Sequence, residues 1–135
     1  MAVPCRPMEL TTHDPVAGVY PSGGDYAHAI EIRGLERLVY LSGTMGLDPE
    51  GEPGADLDAQ LTLIWANIRA ILAAANMTVG NIVRLTSYLR DVSYASPNAA
   101  ARVAALGGRA IPTTAIVAQT LDTNWLVELE VIAAA

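Results

Sequence analysis

The sequence predicts an α+β fold, in which one mixed β-sheet carries two helices on one of its faces. Apolar residues recur with a helical period over residues 57–75, and a second, alanine-rich segment is typical of a helix. The predicted order is strand, strand, helix, strand, helix, strand, strand, with no internal repeat and no linker, which favours helices layered on a sheet. The 135 residues therefore form one domain, 1–135.

The N-terminal residues 1–25 are predicted to be an extension formed of loop, because turn-forming residues cluster at Asp14-Pro15 and at 21–25. Residues 26–32 alternate loosely and residues 38–43 are mostly apolar, so each segment predicts a strand. The turn at 34–37 between them suggests that these two strands pair as a hairpin.

The first helix is predicted to begin after Asp56, which suits the N-cap position. Asp58 then lies in the first turn, where the helix dipole favours a negative charge. Trp65 borders an apolar face that we expect to pack across the sheet. The residues of this face are Leu57, Leu61, Ile64, Ile68, Ile71, Leu72 and Ala75.

The second half of the chain continues with a strand at 82–90. Ser96-Pro97 suits the N-cap and first residue of a second helix, which ends near residue 106 before two glycines. Strands follow near 113–120 and 125–133. Helices on one face leave the other face uncovered, and its outward positions include Ile116, Ala118 and Ile132. We expect this apolar face to be buried against other subunits.

Composition excludes several function classes. The net charge is −6 and the eight arginines are scattered, so we expect no nucleic acid partner. The absence of lysine excludes Schiff-base lysine chemistry, a lysine-bound pyridoxal cofactor and a P-loop. No Cys/His group has the spacing of a zinc site, and the single cysteine, Cys5, is interpreted as an incidental thiol rather than a nucleophile.

Targeting signals are also missing from the sequence. No apolar run reaches the roughly twenty residues that span a bilayer. Residues 1–10 lack the basic and then apolar pattern of a signal peptide. We therefore expect a cytoplasmic protein with no membrane partner.

Several short motifs follow one another from about residue 26 to residue 132. They are Leu41-Ser42-Gly43, the helical stretch 67–72, the run 79–86, Leu89-Arg90-Asp91, Pro97-Asn98, Ile111-Pro112 and residues 127–130. Each motif alone is weak, but in this order and spacing the chain resembles the RidA/YjgF family of reactive-intermediate (enamine/imine) deaminases.

The resemblance implies a chorismate-mutase-like α+β fold that assembles as a homotrimer, with sheets inside, helices outside and ligand clefts between subunits. It implies hydrolysis of imines and enamines to keto acids and ammonia, with no metal and no organic cofactor. An imine carbon is already electrophilic, so modest acid–base assistance is enough. In the family an arginine pairs with the substrate carboxylate and a glutamate is proposed to position or activate water.

Site residues follow from the resemblance position by position. Glu128 matches the glutamate that handles water, and the arginine position is occupied by Thr114. The cleft lining is matched by Tyr26, Ser42, Tyr88 and Ile116. Each also has an ordinary interpretation, as a strand aromatic, a turn serine or a packed or solvated side chain.

Two other side chains remain open as substitutes for the missing arginine. Arg109 precedes Thr114 by five residues and is otherwise a solvated loop arginine. His28 lies near Tyr26 on the same predicted strand and is otherwise a packed or exposed histidine.

Threonine at 114 offers one hydroxyl and no charge, whereas arginine offers a planar fork that matches a carboxylate. The sequence therefore predicts a divergent RidA-like hydrolase of small molecules, acting on an imine, enamine or related reactive compound other than the imines of free amino acids. The alternative is a non-catalytic, trimeric small-molecule-binding module of the same fold.

Overall fold

The computed structural model describes residues 6–135 of the chain, so Cys5 lies outside the described residues. Two α-helices and seven strands form the framework of this part of the chain. They are β1 (Glu9–His13), β2 (Ala29–Arg33), β3 (Leu38–Tyr40), β4 (Thr44–Met45), α1 (Leu57–Ala74), β5 (Ile82–Leu89), α2 (Ala95–Ala105), β6 (Thr113–Val117) and β7 (Val127–Ala134).

The main sheet has five strands in the order β3-β7-β5-β6, with β4 pairing with β7 as well. β5 and β6 are parallel, while β7 is antiparallel to β3, β4 and β5. The predicted α+β domain with a mixed sheet and two helices is thereby confirmed. β1 and β2 form a separate antiparallel pair.

The core lies between α1 and the inward side chains of β5 and β7. Along both strands buried and less buried residues alternate, which is the period of a strand with one covered face. Inward residues include Leu85, Leu89, Val127, Leu129 and Val131, which pack with Ile64, Ile68 and Leu72 of α1. Residues with the other parity on β5 and β7 lie on the face of the sheet that carries no helix.

The start of α1 follows the prediction, because the side chain of Asp56 accepts a hydrogen bond from the Ala59 amide at 2.8 Å. The apolar face is rotated relative to the predicted one. Trp65 is only 4% exposed, whereas Ile71 is 44% exposed. The expectation for Ile71 is therefore wrong, and Trp65 belongs to the core rather than to its border.

Gln60 joins α1 to the segment before β7. Its side-chain amide donates to the carbonyls of Gly54 and Asn124 and accepts from the Leu126 amide, all within 3.0 Å. The residue is 2% exposed, so these bonds satisfy a buried polar group at both its nitrogen and its oxygen. The link holds the start of β7, and with it Glu128, against the first turns of the helix.

The predicted hairpin between residues 26–32 and 38–43 is wrong. β2 pairs with β1, whereas β3 pairs with the end of β7, with Tyr40 opposite Ile132. The prediction of loop for residues 11–25 also differs from the structure, since β1 extends to His13. Alternation identifies a strand but not its partner, and β7 is long enough to accept β3 beside β4 and β5.

The second helix begins earlier than predicted. A 3₁₀ turn at Val92–Tyr94 leads directly into α2, and the Asp91 side chain caps that turn by accepting from the Ser93 amide. Ser96 and Pro97 lie inside the first turn of α2, so the assignment of Ser96 as the N-cap is wrong. Proline is tolerated there because the first-turn amides have no partner within the helix.

The uncovered sheet face is less apolar than predicted. Ile116 is 48% exposed on it, and Ala118 lies beyond the end of β6. Arg84, Tyr88 and Glu130 belong to the same face, together with Glu128 and Ile132. Within residues 6–135, no helix is both long and apolar enough to cross a membrane.

Candidate active site

The uncovered face gathers polar side chains in rows across three neighbouring strands. Tyr88 of β5 lies opposite Glu128 of β7 and beside Ile116 of β6. In the next row, Thr86 lies between Glu130 and Thr114. Because side chains two residues apart on a strand point to the same face, these two rows form one continuous surface.

Gly43 lies directly against Glu128. Antiparallel pairing of β4 with β7 places Met45 opposite Glu128 and brings the preceding turn over that side chain. A Cβ atom at position 43 would lie 2.9 Å from Cδ of Glu128. A side chain at position 43 would push the flexible end of Glu128 aside, so the glycine leaves the Glu128 carboxylate in its present position.

A cavity of about 350 Å³ adjoins this contact. Gly43, Tyr88, Glu128 and Glu130 line it together with residues 118–121, which connect β6 to the segment before β7. Two carboxylates and a phenol thus face one space that is large enough for a small organic molecule. Among the described residues, no group of three or more His, Cys, Asp or Glu side chains is arranged to hold a metal ion.

Tyr88 is the hydrogen-bond donor of this cavity. Its hydroxyl donates to Oε1 of Glu130 at 3.3 Å. The negative charge of Glu130 raises the pKa of Tyr88, with loss of solvation, the hydrogen bond and the charge of Glu128 acting in the same direction, and the charge of Arg84 opposing them. The phenol therefore stays protonated at neutral pH and keeps its donor.

A cation lies next to Thr114. Nη2 of Arg84 donates to Oγ1 of Thr114 at 2.7 Å, so a guanidinium from β5 reaches the position that the resemblance gives to an arginine of β6. Sequence reasoning missed Arg84. Alternation along the predicted strand 82–90 places Arg84 on the same face as Tyr88. It does not identify which residue of another strand Arg84 contacts.

Neither of the proposed substitutes for an arginine takes that position. Arg109 donates to the carbonyls of Val79 and Ile82 at 2.9 and 2.8 Å, and burial lowers the pKa of its guanidinium. His28 contacts the carbonyl of Tyr20 at 2.7 Å through Nε2, in the segment that precedes β2. Both side chains are engaged within the fold away from Thr114.

Tyr26 is not brought to Glu128 within one chain, and Ser42 precedes Gly43 in the turn above Glu128. Tyr26 precedes β2 and its ring packs edge-on against His28, with 5.7 Å between ring centroids. Ser42 is exposed and lines a different cavity of about 650 Å³, between β3, the 43–51 segment and α1. A single chain therefore assembles Tyr88 and Glu128, with Ile116 and Thr114 beside them. It places Ser42 in an adjoining cavity that shares Gly43, and it leaves Tyr26 apart.

Residues 19–135 match the model of the family described as Endoribonuclease L-PSP. The chain belongs to this family. The match includes every strand from β2 to β7 and both helices, and thus all of the candidate site. The resemblance to RidA/YjgF proteins is confirmed as well, since L-PSP relatives include proteins described as Rid proteins and reactive-intermediate deaminases.

Individual L-PSP relatives agree with this assignment. The 2-iminobutanoate/2-iminopropanoate deaminase of Escherichia coli is 33% identical over 78 residues, which are 56% of this chain and 59% of that protein. A RutC family protein of Aquifex aeolicus is 34% identical over 70 residues, 51% of this chain and 54% of the relative. The chain thus spans about half the length of the curated relatives it matches.

A solved L-PSP-type structure matches much more of the molecule. The Rid family protein YyfB of Yersinia pestis, a protein of unknown function, superimposes with a TM-score of 0.80 and 26% identity. The superposition covers 93% of this chain and 98% of that one. The RidA-like fold is therefore shared over nearly the whole domain.

Proposed function

We propose that the chain is a divergent RidA-like hydrolase that acts on an imine, an enamine or a related reactive compound other than the imines of free amino acids. The observation that carries this proposal is the position of Glu128, whose carboxylate lies against Gly43 at a cavity shared with Tyr88. The deaminase relative from Escherichia coli, at 33% identity, supports the same class of chemistry.

The chemistry requires little from the protein. A water molecule held by the Glu128 carboxylate adds to the carbon of C=N while the carboxylate accepts one of its protons. That proton passes from Glu128 to the nitrogen, which gives the carbinolamine. The carboxylate then moves the hydroxyl proton to the nitrogen, and the C–N bond breaks to release ammonia and leave a carbonyl compound. An enamine enters the same route once a proton has been added to its carbon. Tyr88, a protonated donor beside this space, orients the nitrogen or oxygen of the substrate.

Substrate preference depends on Thr114 and Ile116. The resemblance gives an arginine to position 114, and threonine supplies neither a charge nor a bidentate donor for a carboxylate next to the C=N carbon. Ile116 lies beside Tyr88 and adds an apolar wall. This combination favours a neutral, aromatic or larger substrate, in which no carboxylate is attached to the reacting carbon.

The site is completed, on this proposal, by neighbouring copies of the chain in a homotrimer. Large apolar side chains are exposed on and around the uncovered face, among them Tyr40, Ile116 and Val117. Tyr26 would join the cleft only across such an interface. Sedimentation equilibrium of the purified chain should give three times the chain mass of 14.2 kDa. A monomer at micromolar concentration would contradict this part of the proposal.

The substrate proposal is tested with two imines that differ in the acid group. One is 2-iminopropanoate made in situ by oxidation of alanine, and the other is benzophenone imine, which is neutral and aromatic. We expect kcat/KM for the neutral imine to exceed that for 2-iminopropanoate by at least tenfold. Semicarbazide added to the reaction traps the remaining imine, so faster hydrolysis by the protein is measured as less semicarbazone formed. A preference for 2-iminopropanoate would contradict the proposed specificity. Binding of both without turnover would instead favour the alternative, a non-catalytic binding module.

A further inference from the structure

Arg84 lies on the uncovered face, and most of its guanidinium N–H donors have no hydrogen-bond partner within residues 6–135. Its one hydrogen-bond partner among residues 6–135 is the hydroxyl of Thr114, and no carboxylate within that range lies at ion-pair distance from it. It is half-buried on a middle strand of the sheet. A cation that is partly removed from water and lacks a counter-ion favours binding of an anion.

Most other arginines are already engaged with acceptors of the fold. Arg33 pairs with Glu31 and Arg102 with Asp25, while Arg90 donates to the carbonyls of Thr120 and Asp122. Arg37 and Arg109 donate to backbone carbonyls as well. Within residues 6–135, Arg84 has a single hydroxyl as its hydrogen-bond partner, so most of its donors remain available for a ligand.

Arg84 also lines a cavity next to the candidate active site. This second cavity, of about 410 Å³, includes Tyr40, Arg84, Thr86 and Glu130 in its wall. Glu130 belongs to both cavities, so the two adjoin along the same sheet face. A molecule with its reacting carbon beside Glu128 therefore has room to extend along the strands toward the guanidinium.

The register of the sheet sets the separation between the two ends. The row of Thr114, Thr86 and Glu130 lies two residues from the row of Tyr88 and Glu128, which is about 7 Å along the strands. An α-imino acid carries its carboxylate on the reacting carbon itself. A compound whose carboxylate is several bonds from the reacting carbon spans the two rows more readily, because its own length adds to the reach of the hydrogen bonds at each end.

We propose that Arg84, held by Thr114, is the anion-binding residue of this site, and that it selects substrates whose carboxylate is separated by several bonds from the C=N or C=O carbon. The inference rests on the proposed function for the position of the reacting group and deepens it by naming the substrate class. On this proposal the protein still binds an acid group, but with an arginine of β5 instead of the β6 arginine that the resemblance gives to position 114.

Binding of three carbonyl compounds of equal chain length tests the proposal. They are levulinate, whose carboxylate is two methylene groups from its ketone, 2-oxopentanoate, whose carboxylate adjoins the ketone, and neutral pentan-2-one. Isothermal titration should show levulinate binding at least tenfold more tightly than the other two. Arg84→Gln should weaken levulinate roughly tenfold to a hundredfold, the loss of a charge-assisted contact, and leave pentan-2-one unchanged.

Two further variants serve as controls. Arg69→Gln removes an exposed guanidinium on α1, outside the site, and should leave all three affinities unchanged. Glu130→Gln removes a negative charge from the shared wall and should tighten levulinate. Equal affinity for levulinate and pentan-2-one, or no effect of Arg84→Gln, would overturn the proposal. So would a change of oligomer mass in Arg84→Gln with unaltered affinity, which would assign Arg84 to an ion pair between copies.

These readouts are independent of turnover, so the two proposals fail separately. Levulinate binding that depends on Arg84, in a protein that hydrolyses no imine, would remove the proposed function and leave an anion-binding residue in place. Hydrolysis that depends on Glu128, with no contribution from Arg84 to binding, would remove this inference alone.

Discussion

Replacing Glu128 by glutamine should reduce hydrolysis of the active imine about 100- to 10,000-fold in kcat, the usual contribution of a positioned acid–base group. Glutamine keeps the shape and the contact with Gly43 but cannot accept a proton from water. Because the side chain is only partly buried and lies outside the core, the thermal unfolding temperature should remain close to that of the unaltered chain. Steady-state rates and a melting curve of the same preparation measure both effects.

Two variants separate the role of the carboxylate from that of general charge in the cavity. Glu130→Gln removes the neighbouring carboxylate and should reduce kcat far less than Glu128→Gln. Gly43→Ala keeps the Glu128 carboxylate but forces it to move, since the added Cβ would lie 2.9 Å from Cδ. It should therefore lower kcat in a folded protein. Equal losses at 128 and 130, or full activity of Glu128→Gln, would remove Glu128 from the chemistry.

Thr114→Arg should raise kcat/KM for 2-iminopropanoate on the order of a hundredfold. The arginine side chain extends away from residue 114, whereas the Arg84 guanidinium is held at the Thr114 hydroxyl, and a charge-assisted bidentate contact to a carboxylate is worth a few kcal/mol. Thr114 is exposed on the edge strand β6, which accommodates the longer side chain without repacking the core. Activity on a neutral imine should change little. The ratio of the two kcat/KM values is the quantity to compare.

Thr114→Gln is the matched control, because glutamine adds length and hydrogen-bonding groups without a charge. It should leave the preference between the two imines as it is in the unaltered chain. A hundredfold gain with glutamine would mean that length rather than charge matters at this position. No gain with arginine would mean that the acid group of such substrates does not lie near residue 114.

Much of the fold could be predicted because burial on one face leaves a regular trace in the sequence. The alternation in β5 and β7 and the helical repeat of α1 follow from covering one side of the sheet, so these elements were identified with their bounds nearly correct. Pairing left a weaker trace. A turn such as 34–37 is equally consistent with a hairpin and with other connections. The structure pairs β3 with β7.

The candidate site shows the same division. Parity along β7 placed Glu128 and Glu130 on one face, and the resemblance singled out Glu128 and Tyr88, which the structure brings together at one cavity. The contact of Gly43 with Glu128 had no signal in the sequence beyond a glycine in a turn. The contact of Arg84 with Thr114 had none either, because the two residues are thirty positions apart and meet only through the parallel pairing of β5 and β6.

By itself, the sequence determined the class of fold, the buried face of β5 and β7 and the absence of a charge at residue 114. These features depend on the hydrophobicity and chemical identity of individual side chains, which can be read from each residue and its near neighbours in sequence. Which charges face one another was decided by strand order and register, because an electrostatic contact depends on distance in space. Only the tertiary structure shows a guanidinium beside Thr114. The residue at 114 itself carries no charge, and the nearby cation belongs to Arg84 on the neighbouring strand.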